Sequence, residues 1–68
     1  MNQDTFNMSI RKFLKMVGVQ AQREIETAVE AGIASGRLKG TETLDAKMTL
    51  TIGGVAHTVT FDGKVSLE

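Results

Sequence analysis

The stretch FLKMVGVQAQREI, residues 13 to 25, decides how many helices the chain contains. Upstream of its centre, Phe6, Ile10, Phe13, Leu14 and Val17 recur at the 3.6-residue period of one helical face. Downstream, Ile25, Ala28, Val29, Gly32 and Ile33 form a second apolar face, with Gln22, Arg23, Glu26 and Glu30 largely off it. Gly18 stands between them, a residue suited to the left-handed exit of a helix. The spacing therefore predicts two helices, over about residues 4–16 and 20–35, adjacent and antiparallel or crossed. Asn2 or Asp4 can cap the first, and Arg11, Lys12 and Lys15 suit its negative end. Ser35 and Gly36 stop the second.

Beyond a polar connector, Arg37 to Thr43, from which Leu38 is expected to tuck back onto the core, the period changes from 3.6 to 2. Leu44, Ala46, Met48, Leu50 and Ile52 alternate with Asp45, Lys47, Thr49 and Thr51, a half-buried strand over 44–52. Gly53-Gly54 reads as a two-residue hairpin loop, because both glycines tolerate positive φ. A second strand then covers 55–61, pairing Ile52 with Val55, Leu50 with His57, Met48 with Val59 and Ala46 with Phe61. Asp62-Gly63 signals another turn, after which 65–67 can add a third strand, with Val65 opposite Phe61. The expected fold class is α+β: two N-terminal amphipathic helices packed on a C-terminal antiparallel β-hairpin or three-stranded meander, in one domain spanning 1–68.

Composition narrows the function classes. The chain is 41% hydrophobic and 24% charged, the balance of a folded globular domain. No apolar run approaches the roughly 18 residues of a spanning helix, and MNQDTFNMS lacks the basic start and apolar core of a leader, so the expected location is the cytoplasm. There is no cysteine, and one histidine among scattered carboxylates cannot build a four-ligand zinc site, so neither a metal nor another cofactor is expected. Net charge is zero, which provides no overall field for nucleic acid or an anionic membrane. A chain of 68 residues makes a small core, and a second copy is one way to enlarge it.

NMSIRKFLKMVGV followed by QREIE resembles a family of short bacterial proteins, mostly proteobacterial, carried as a domain of unknown function. The likeness covers nearly the whole chain and is clearest over residues 5 to 26. It implies a free-standing cytoplasmic bacterial protein and brings no catalytic residue or ligand with it.

His57 falls in the apolar phase of its strand, where it is expected to be a partly buried structural histidine; burial would let acid charge it and loosen the hairpin. Asp45 and Asp62 face each other in the two-residue-loop register, too little for a glycosidase cleft or a tight calcium site. Ser9, Ser35 and Ser66 lack the context of a nucleophile, and there is no phosphate loop, so no enzymatic activity is expected. Ala28 and Gly32 make a smooth helical surface suited to close packing or to a dimer seam. Met8 stands among Arg11, Lys12 and Lys15, with Arg37 and Lys39 able to extend that patch. These six residues are the candidate interaction set. They point to a small protein-interaction or structural module engaging a second copy or another protein through that face or an open sheet edge. The alternative is weak nucleic-acid binding through Arg11, Lys12, Lys15, Arg37 and Lys39, against which the glutamates of the second helical stretch would act.

Overall fold

The structure, a computed structural model, describes all 68 residues. The element order is α1 (Gln3–Ala34), β1 (Thr43–Ile52) and β2 (His57–Ser66). The chain divides into two units, Met1–Arg37 and Leu38–Glu68, and each is described by itself.

The first unit is one helix, which corrects the expectation of two. α1 runs unbroken through Gly18 for 32 residues, about 48 Å at 1.5 Å per residue. The reason is a contest of magnitudes. A glycine inside a helix costs about 1 kcal/mol relative to alanine. Starting a second helix means a second nucleation, with a σ of about 10⁻³, equivalent to about 4 kcal/mol. Nothing forces a break: there is no proline, and Val17, Ala21, Ile25, Ala28 and Gly32 follow one another at spacings of four, four, three and four. Val17, Ala21 and Ile25 join the two apolar faces through Gly18 into one stripe that winds slowly around the helix.

Both ends are closed locally. The Asn2 side chain accepts a hydrogen bond from the Thr5 amide at 3.1 Å, and Asp4 lies in the positive first turn. At the far end the Ser35 amide donates to Ala31 O and the Ser35 hydroxyl to Gly32 O. Gly36 then leaves with φ of +83°, a conformation that glycine adopts without a Cβ penalty. No basic residue occupies the last turn, because Arg11, Lys12 and Lys15 fall in the body of the long helix.

The second unit is a two-stranded antiparallel hairpin. Its loop is Gly53–Ala56, four residues and not two, and it moves the register by two positions. Ile52 pairs with His57, Leu50 with Val59, Met48 with Phe61, Ala46 with Gly63 and Leu44 with Val65. The charges on the other face account for the choice. The two-residue loop would set Asp45 against Asp62, whereas the observed register sets Asp45 against Lys64 and Lys47 against Asp62. Like charges directly opposite destabilise a ladder and unlike charges support it, by roughly 0.2–1 kcal/mol per pair. A shift of two preserves the face of every side chain, so the apolar alternation is kept.

The same shift removes the third strand. Asp62 and Gly63 lie inside β2, and Val65 continues the ladder opposite Leu44 in place of turning back. Neither unit contains a buried residue.

Candidate interaction surfaces

Three surfaces carry whatever chemistry this chain offers. The first is the apolar stripe of α1. Phe6 is 46% exposed, Ile10 39% and Ile25 40%, while Val17 and Ala21 between them are half-buried. A surface helix keeps such a stripe because another element covers it.

The opposite side of α1 holds the residues singled out from the sequence. Met8 is 59% exposed and lies one turn before Arg11 and Lys12, with Lys15 one turn further on. Asp4 and Met8 flank a shallow depression with Thr5, Ser9 and Lys12, so the patch includes a carboxylate. Arg37 does not join it. With a single helix between them, Lys15 and Ala34 are separated by about 28 Å along the axis, and Arg37 follows Ala34. Lys39 belongs to the second unit.

On the hairpin the two faces differ in how completely they are satisfied. The polar face consists of matched pairs: Asp45 with Lys64, joined by an ion pair, Lys47 with Asp62, Thr49 with Thr60, and Thr51 with Thr58, whose hydroxyls stand 3.5 Å apart. The expected Asp45–Asp62 carboxylate pair is absent, since each aspartate has a lysine opposite. The apolar face is left open, with Phe61 57% exposed. It also has a notch, because Gly63 opposes Ala46 between the Met48–Phe61 and Leu44–Val65 layers. A depression of about 520 Å³ is lined by that small pair together with Asp45, Lys47, Asp62 and Lys64 of the polar face.

His57 begins β2 opposite Ile52, not Leu50, and it is exposed. The burial that a histidine switch requires is not present at that position.

One local constellation escaped the sequence reading. The Glu42 carboxylate accepts hydrogen bonds from the amides of Lys39 at 2.9 Å, Gly40 at 2.9 Å and Thr41 at 3.1 Å, while its own carbonyl accepts from Leu67. These amides, Lys39 foremost, hold the Glu42 carboxyl below the usual carboxylate range, against a smaller opposing effect of desolvation. The carboxylate is consumed in shaping the entry to β1. The only sequence signal was a glutamate two residues after the glycine of a polar connector.

A single capped helix and a charge-matched hairpin define a small α+β protein with no helix long and apolar enough to cross a membrane. The chain belongs to DUF6494, a family of unknown function, whose model matches residues 1–68. No curated protein and no solved structure matches it.

Proposed function

We propose that the chain is a small non-enzymatic protein-interaction module of the cytoplasm, with the apolar stripe of α1 as its working surface. One observation carries this reading: the stripe runs without interruption from Phe6 to Gly32, and no residue along it is buried. Helices in water owe most of their stability to an apolar face packed on something else. A two-stranded hairpin is marginal by itself for the same reason. The polar face of the hairpin, by contrast, already satisfies its charges, and the Glu42 carboxylate is occupied by backbone amides. The stripe extends over most of α1 and has no partner within its own unit.

Photo-cross-linking in the source cell tests this directly. A photoactivatable residue at Leu14, on the stripe, is expected to give adducts heavier than the chain, and one at Lys12, on the opposite side, none. Adducts from Lys12 alone would overturn the reading and favour the basic face and nucleic acid.

A further inference from the structure

Resting on that reading, we infer that the surface covering the stripe of α1 is α1 of a second copy, lying antiparallel about a two-fold axis level with residue 19. Toward the ends of the stripe, side-chain size is distributed in complementary fashion about that level. Counting outward, Val17 meets Ala21 and Phe13 meets Ile25. Further out, Ile10 meets Ala28 and Phe6 meets Gly32. The two outer layers join a large side chain to a small one.

Two helices pack at a near-constant separation of about 8–10 Å only if successive layers have similar combined bulk. The antiparallel arrangement comes closer to that condition than a parallel one, with similar bulk in the Phe6–Gly32, Ile10–Ala28 and Val17–Ala21 layers and one bulkier layer, Phe13–Ile25. A parallel, in-register pair would set Phe6 on Phe6 and Phe13 on Phe13 at one end, and Ala28 on Ala28 and Gly32 on Gly32 at the other, a wedge with a gap. Glu24, at the edge of the stripe, would also meet its own copy in the parallel pair, whereas the antiparallel one lays its stem beside Leu14.

Charge divides along the same line, independently of size. The half of α1 before residue 19 carries Arg11, Lys12 and Lys15 against Asp4, and the half after it carries Glu24, Glu26 and Glu30 against Arg23. Antiparallel pairing lays a net positive half along a net negative one and opposes the two helix dipoles. These charges stand mostly off the stripe, so they bias orientation at low salt and are screened over about 8 Å at physiological salt.

The chain has no cysteine, so introduced thiols report orientation cleanly. Chains carrying Ile10→Cys and Ala28→Cys are mixed in equal amounts in a glutathione redox buffer and the disulfides are identified by mass. The expected product is the mixed disulfide joining position 10 to position 28, well above the statistical mixture. Predominant homodisulfides, a statistical mixture, or no cross-link would each overturn antiparallel pairing, and adducts from Leu14 in the photo-cross-linking test would still stand.

A second variant guards against loss of folding. Ala28→Ile overfills two layers of the antiparallel dimer and is expected to weaken association about tenfold or more. The double variant Ile10→Ala/Ala28→Ile restores the layers and the affinity. Tighter association of Ala28→Ile by itself would contradict the arrangement, since only a parallel pair has a gap there to fill.

Discussion

Lys64 forms an ion pair with Asp45 across the hairpin, and Lys47 stands opposite Asp62 two residues along. The relationship fixes more than a surface contact. The alternative register, closed by a two-residue loop, would convert these two attractive pairs into one aspartate facing another.

Reversing one charge should therefore weaken the hairpin and reversing both should restore it. Asp45→Lys is expected to lose about 0.5–1 kcal/mol, and Asp45→Lys/Lys64→Asp to regain most of it, because both side chains are well exposed and the pair is of the modest surface kind. Chemical denaturation of the four chains of the cycle gives the coupling. A coupling of zero would remove charge as the selector of register.

The four-residue loop places Ala56 at φ +49°, a left-handed conformation that costs a residue with a Cβ roughly 1 kcal/mol. Ala56→Gly is expected to stabilise the hairpin by about that amount, seen as a higher melting temperature. In a loop of two glycines Ala56 would be an ordinary strand residue, and the same change would destabilise.

Gly18 offers the corresponding test on α1. A Cβ built there meets nothing within 4 Å, and its backbone is helical. Gly18→Ala should raise stability by about 0.5–1 kcal/mol and increase the helical circular dichroism signal. A chain that turned at Gly18 with positive φ would respond with a loss.

Glu42 supplies a pH dependence whose sign is determined. Its folded pKa is depressed by the amides of Lys39, Gly40 and Thr41, so its contribution to stability is fully present above the ordinary carboxylate pKa. That contribution is lost as pH falls through the lower, folded pKa. Carbon NMR titration of Glu42 should give a midpoint below that of a free glutamate, with the amide protons of Lys39, Gly40 and Thr41 moving at the same pH. In Glu42→Gln those amides should lose the acid transition.

What could be read from the sequence was what short-range chemistry decides. Asn2 as a cap, Gly36 as a stop and the alternation from Leu44 to Ile52 each depend on residues within one turn or one pleat, and the structure holds them as expected. Gly18 was misleading because its preference for an exit is a local signal of about 1 kcal/mol, whereas the continuity of Val17, Ala21 and Ile25 acts over the whole helix. Gly53-Gly54 misled in the same way: a strong turn dipeptide outranked the more distant charge pairs Asp45–Lys64 and Lys47–Asp62, and the loop took in Val55 and Ala56 to satisfy them. The Glu42 constellation was invisible because it depends on the backbone path through Gly40 at φ +100°, which composition does not specify. The basic set dispersed once one helix replaced two, since Lys15 came to lie in the body of α1 and Arg37 beyond its C-terminal end.

Light scattering coupled to a sizing column, run across a hundredfold range of concentration, tests most directly the claim that α1 is covered by another chain. Association through the stripe predicts a mass near twice 7.3 kDa that falls toward 7.3 kDa on dilution, and a permanent monomer for Ile10→Glu. A wild-type mass of 7.3 kDa at every concentration, with the amides of α1 strongly protected from exchange, would contradict it.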